Sequence, residues 1–213
     1  MNRSIRCASI IVASLLLGGL AAAPAQASPP HVEPIALARQ QPIGSVVSVV
    51  GSVTVPSGAF DAGFAIQGLL DGIYVLDAAG AARRVGDVVR VTGTLVDNFG
   101  LLSIAPSSVT QLFHAAPFRP FRSVTGAVGE ATEGRLLHLR GRMVGPLVDD
   151  SPYGYKLEID DGSGPVHVFL YPGAGIPLTG LVAGARIDTT CFSSQFDATY
   201  ECDPPSAATF HVE

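Results

Sequence analysis

The sequence predicts an all-β fold: two tandem OB-like five-stranded barrels following a cleaved signal peptide. Two observations predict the barrels. The chain repeats itself at a spacing of about ninety residues, too long for a solenoid unit and long enough for a small domain. Within each copy, short runs rich in valine, isoleucine and threonine alternate apolar and polar residues and are punctuated by glycine. From Gly44 the chain runs GSVVSVVGSVTVPSG, GFAIQGLLDGIYVL and VGDVVRVTGTLVDNFGLLSIAP. From Gly134 it runs GRLLHLRGRMVGPLV, YGYKLEIDDGSGPVHVFLY and LVAGARIDTTCFSSQFDATYECDPP. Gly51 answers Gly141, Gly86 answers Gly184, and Pro106 answers the Pro204–Pro205 pair.

The amino terminus carries targeting chemistry. Arg3 and Arg6 precede an apolar run from Ile10 to Leu20, which is short for a membrane span, and Ala25-Gln26-Ala27 forms a small-residue cleavage site. Residues 1–27 are expected to leave as a signal peptide, delivering a secreted or periplasmic chain with no later membrane span. Their removal takes two of the 13 basic residues and none of the 18 acidic ones, moving the net charge from −5 to −7. That balance argues against a protein built mainly to wrap phosphates, although a local basic groove stays open.

Residues 28–43 hold four prolines and read as an extended lead-in with a short turn near Ile35–Arg39. Residues 44–112 form the first domain. On its first strand Val47, Val49, Val53 and Val55 fall on one side and Ser48, Ser52 and Thr54 on the other. Phe64 and Ile66, then Ile73 and Val75, then Val89, Val91 and Leu95 continue the inward set. Gly51 and Gly93 sit inside strands, where a small closed barrel bends sharply. A β-sandwich is the alternative, but each copy is short of the roughly seven strands that it needs. Residues 113–124 form a linker stiffened by Pro117 and Pro120. Residues 125–213 form the second domain, with Leu137, Leu139, Met143, Tyr155, Leu157, Ile159, Val166, Val168 and Leu170 inward.

Without Cys7, two cysteines remain, and in an oxidising compartment Cys191 and Cys202 are expected to bridge the last hairpin of the second copy. Two thiols are too few for a zinc site. Asp160-Asp161-Gly162-Ser163-Gly164 lacks the spaced ligands of a calcium loop and reads as a hairpin turn. Asp149 and Asp150 read as a further polar loop without a defined partner.

The runs VTVPSGAFDAGFAIQ, DGIYVL, VGDVVRVTGTL, EATEGRLLHLRG and YGYKLEIDDGSGPVHVF resemble the OB-fold modules of bacterial secreted nucleases, which accompany an endonuclease/exonuclease/phosphatase-type catalytic domain. The resemblance covers nearly all of the chain after the signal peptide and is one of strands and turns. It implies an OB fold and single-stranded DNA as the favoured ligand. It departs from the family at Gly68-Leu69-Leu70, where an aspartate commonly follows the equivalent of Gln67. Beyond these two copies, no residues of the sequence remain from which such a catalytic domain is expected.

The outward face of the second copy is the leading candidate for binding. Arg140, Arg142 and Lys156 bring charge, and His167, Phe169 and Tyr171 bring rings, a combination suited to single-stranded nucleic acid or an oligosaccharide. Glu158 and Asp160 interrupt it, and the same face could instead be solvated or packed against the first domain. Gln67, Tyr74 and Arg90 occupy comparable places in the first copy, with Phe60 and Phe99 on bordering loops. His138 and His167 are expected as neighbours on one face but lack a third ligand for a metal. No G-x-S-x-G, H-E-x-x-H or phosphate-binding loop is present, and no cofactor is called for. The expected function is a non-catalytic binding module. The alternative is an interaction protein that docks on an exported enzyme or envelope partner.

Overall fold

A computed structural model describes residues 31–60, 63–77 and 80–213. The expected signal peptide, residues 1–27, lies outside the described residues. The strands are β1 (Val32–Glu33), β2 (Val46–Val55), β3 (Phe64–Gln67), β4 (Gly72–Val75), β5 (Asp87–Asn98), β6 (Leu101–His114), β7 (Phe121–Arg122), β8 (Leu136–Met143), β9 (Val148–Asp150), β10 (Gly154–Asp160), β11 (Val166–Leu170), β12 (Arg186–Phe196), β13 (Thr199–Asp203) and β14 (Phe210–Val212). One short helix, α1 (Ile35–Ala38), occupies the expected turn in the lead-in.

Two closed barrels result. In the first, β2-β3-β4-β6-β5 form a continuous path, and β5 closes it by pairing with β2. In the second, β8-β10-β11-β13-β12 do the same, and β12 closes on β8. Each barrel therefore follows the order first, second, third, fifth, fourth. The third and fifth strands are parallel, β4 with β6 and β11 with β13, and the other barrel pairings are antiparallel. This is the OB arrangement, and closure leaves no room for a sandwich.

The repeat reaches further upstream than Gly44. β1 lies parallel to β2, and β7 lies parallel to β8 at the corresponding position. The lead-in and the PFRPFR segment thus each add a short strand to the barrel that follows. β6 runs to His114, two residues past the expected end of the first domain.

The inward residues form two cores. Val47, Val49, Phe64, Ile66, Ile73, Val89, Val91 and Ile104 fill the first. Leu137, Leu139, Leu157, Ile159, Val168, Ile187 and both cysteines fill the second. Val55 is the exception to the alternation. A register shift between Val53 and Val55 changes the parity of the strand, and Val55 faces the junction between the barrels. The cysteines are bridged as expected, Cα to Cα 5.4 Å apart, although they do not stand directly opposite each other across the hairpin. Cys202 pairs with Ser193, so the bridge runs diagonally and lies inside the barrel. Asp149 and Asp150 also depart from expectation: they belong to β9, which pairs with β10.

A third cluster joins the barrels: Val55, Ala59, Ala65, Tyr74, Leu101 and Phe192. Polar ties surround it. The Arg39 guanidinium donates to Glu133 at 2.9 Å and to the Gly72 carbonyl at 3.2 Å. Arg135 donates to Asp71 at 2.9 Å, and the Leu136 amide donates to the Gln67 side-chain carbonyl at 2.7 Å. At Gly72 and Gly134 the two backbones touch. A Cβ on Gly72 would stand 1.9 Å from the Gly134 carbonyl oxygen, so only glycine fits there.

Candidate functional site

The barrels meet at equivalent hairpins. Asn98 pairs with Leu101 and Phe196 pairs with Thr199, so the β5–β6 and β12–β13 turns are two-residue turns in register with one another across the repeat. Phe99 and Asp197 hold corresponding places, and both take left-handed backbone, φ 53° and 52°. The tips touch: Gly100 bridges Phe196, the Asp197 amide donates to the Phe99 carbonyl at 2.6 Å, and the Phe99 and Phe196 rings stack at 5.7 Å. In OB folds this hairpin turn borders the ligand face.

Behind the touching tips opens a cleft of about 830 Å³ shared by both barrels. Eight rings line it: Phe60, Tyr74, Phe99, Tyr153, Phe169, Tyr171, Phe192 and Phe196. Several pack against one another. Phe60 lies 4.8 Å from Tyr171, Phe169 meets Tyr171 edge-on at 4.6 Å, and Tyr74 lies 5.9 Å from Phe192. At the rim Phe99 (66%), Phe196 (53%) and Tyr153 (71%) present exposed apolar surface. An open cleft of this ring content is a stacking platform.

Its charges are mostly acidic. Lys156 lies over the Phe169 ring at 5.7 Å and is held by Asp150 at 2.8 Å. Glu201 and Asp203 also line the cleft, and Glu201 is 8% exposed. Burial raises the pKa of Glu201 above the usual carboxylate value, against the opposing pull of His167 and Lys156.

The structure distributes the sequence candidates over several separate places. Lys156, Phe169, Tyr171 and Tyr74 converge in the cleft. Gln67 is buried at the junction, where it holds the Leu136 amide. Arg140 and Arg142 lie elsewhere on the second barrel, beside β12, where Arg140 donates to Asp188 at 2.6 Å and Arg142 to the Gly184 carbonyl at 3.1 Å. Arg90 is exposed on β5. His167 is exposed and lies 3.5 Å from Glu158, whereas His138 faces Asp188 at 3.7 Å. The two histidines therefore occupy different parts of the surface. Among the described residues, no group of three or more His, Cys, Asp and Glu side chains is placed to hold a metal ion.

Sequence reasoning missed Tyr153, Phe192, Phe196 and Glu201. Phe196 was within reach: matching the two last hairpins by their turns puts it at the tip beside Asp197, the counterpart of Phe99.

No protein-family model and no curated protein matches the chain. Among solved structures, the chain is similar to the HINb domain of p204, with 14% identity over 80% of this chain and 97% of that one and a TM-score of 0.34. It is also similar to a murine DNA-binding protein bound with double-stranded DNA, with 13% identity over 78% of this chain and 94% of that one and a TM-score of 0.38. At these scores the fold assignment rests on the strand order above. The resemblance to nuclease-associated modules likewise rests on its pattern of strands and turns.

Proposed function

We propose that this protein is an exported, non-catalytic binding module that seats single-stranded nucleic acid in the cleft between its barrels. The observation that carries the reading is the cleft itself, with rings from both OB barrels and both equivalent hairpin tips converging on one concave surface. Bases stack on exposed rings regardless of sequence, and stacking is worth roughly 1–3 kcal/mol per base. The acidic lining leaves the phosphates in solvent beyond the rim, so ring contacts carry the affinity and the salt dependence is shallow. A buried disulfide suits an oxidising compartment, in keeping with export.

Fluorescence anisotropy with labelled ten-nucleotide single strands, at low and moderate salt, tests this. Binding that weakens at least tenfold in Phe99→Ala/Phe196→Ala supports it. No binding at tens of micromolar, even at low salt, removes nucleic acid as the ligand.

A protein-docking reading draws on Leu69 and Leu70, neighbouring leucines exposed at 83% and 60% on the turn after β3. Capture of an exported partner that is lost in Leu69→Ser/Leu70→Ser would favour it.

A further inference from the structure

The acidic residue at the cleft wall has a property that the stacking reading does not use. Glu201 sits on β13, between Ser194 on β12 and His167 on β11. It is more than nine-tenths buried and lines the cleft. An ionised carboxylate only accepts hydrogen bonds, and a buried one left without donors is costly. Among the described residues no donor is within hydrogen-bond distance of it. The two nearby cations face other acids: Lys156 is held by Asp150 at 2.8 Å, and His167 lies 3.5 Å from Glu158. Phe169 and Phe192 are buried alongside in the same cleft and offer no polar group. The Glu201 oxygens are not fully enclosed, so solvent reaches them along the cleft, and a group that enters must replace the donors that this solvent supplies.

The occupant is bounded on both sides. Asp150, Glu201 and Asp203 disfavour an anion placed deep in the cleft, and Lys156, already over the Phe169 ring, disfavours a cation there. What remains is a neutral flat group with donors along one edge. Resting on the nucleic-acid reading above, we propose that Glu201 is a specificity-determining residue that selects guanine. Guanine carries two adjacent donors, N1–H and the N2 amine, on its pairing edge, and a carboxylate accepts both at once. Adenine and cytosine place an acceptor nitrogen beside their amine, and thymine flanks its single N–H with two carbonyls. Each of these sets an acceptor against the carboxylate, and pairing-edge contacts to unstacked bases are the usual source of single-strand sequence preference.

Labelled dT ten-mers carrying one central dG, dA or dC, and the all-dT strand, test this by anisotropy against wild type, Glu201→Gln and Phe99→Ala/Phe196→Ala. The expected result is a preference for the dG strand of roughly tenfold or more. The preference is read as the ratio of dG-strand to all-dT affinity within each protein, and that ratio should fall toward one in Glu201→Gln. A far-UV circular dichroism spectrum and a thermal transition matching the wild type show that the variant is folded. Equal affinity of all four strands, with binding lost in the ring variant, would overturn guanine selection and leave the stacking reading standing. No binding of any strand would overturn both, as would a neutral hexasaccharide that binds in a Glu201-dependent way where the oligonucleotides do not.

Discussion

The two barrels share a strand order but secure their last hairpins differently. With the hairpin turns matched, Cys191 corresponds to Gly93 and Cys202 to Ile104. In the second barrel a disulfide crosses the core at this point. In the first, the space is filled by the Ile104 side chain, which would lie 2.7 Å from a Cβ on Gly93. One copy uses a covalent link and the other a close apolar fit. The strand beyond diverges too. β6 bends at Pro106, where its register with β5 shifts, and continues to His114. In the second barrel Pro204–Pro205 interrupt the strand, and β14 resumes the pairing with β12. A proline that bends one copy breaks the other when doubled, because two consecutive residues then lack the amide that a ladder needs.

The junction is asymmetric as well. α1 of the first copy ends beside Arg39, which reaches the second copy at Glu133. Glu133 is 3% exposed, and burial holds its carboxyl above the usual pKa although Arg39 pulls it down. Removing the arginine leaves a buried acid without its partner. Arg39→Ala should therefore have the largest effect, destabilising the two-barrel unit by roughly 3–5 kcal/mol, less whatever protonation of Glu133 recovers. Chemical denaturation with probes in both barrels measures it. A loss below about 1 kcal/mol would show that the barrels are held by the apolar cluster alone.

Reduction of the disulfide should come next. The chain-entropy estimate for so short a loop is about 3 kcal/mol. Hydrogen exchange under reducing conditions should show faster opening in β12 and β13, with β5 and β6 unchanged. Equal loosening of both hairpins would mean that the Gly93–Ile104 fit and the disulfide do not act independently.

Gly72→Ala sharpens the comparison from the contact side. The added methyl meets the Gly134 carbonyl, and overpacking of this kind costs roughly 1–3 kcal/mol. The expected outcome is two separate unfolding transitions in place of one, with both cores intact. A single unchanged transition would contradict the close contact.

The smallest effect belongs to Asp161, which ties the turn after β10 to the start of the second copy. It accepts hydrogen bonds from the Ser163 and Thr125 hydroxyls. These bonds, Ser163 first, lower its pKa from 3.8 to about 2. A lowered carboxylate pKa means that its stabilisation is present above about 3.8 and disappears as pH falls toward 2. Asp161→Asn should cost under about 1 kcal/mol at neutral pH, because the group is solvent-screened, and should flatten that acid limb. An unchanged acid limb in the variant would show that Asp161 is not its source.

Much of the fold was legible because period-two alternation reports which residues share a face. Val47, Ile73, Leu137 and Val168 were assigned inward by that rule alone and lie inward. The rule failed at Val55, where a bulge changes parity without a marker in the sequence. β1 and β7 were not legible, since two-residue parallel pairings are set by tertiary packing rather than by local pattern. The candidate site was legible in composition but not in place. Charged and aromatic residues stood out, but grouping Arg140 and Arg142 with Phe169 treated one barrel surface as flat. Curvature carries the arginines toward β12, and the orientation of the two barrels, which no single strand encodes, brings Phe60, Tyr74 and Phe99 of the first barrel to the cleft that holds Phe169.

Those two locations can be told apart directly. Hydrogen exchange on the protein with and without a saturating guanine-containing single strand should show new protection at both hairpin tips, residues 98–101 and 195–201, and at β11. Protection confined to β8 around Arg140 and Arg142, with the tips unchanged, would contradict the cleft as the binding site.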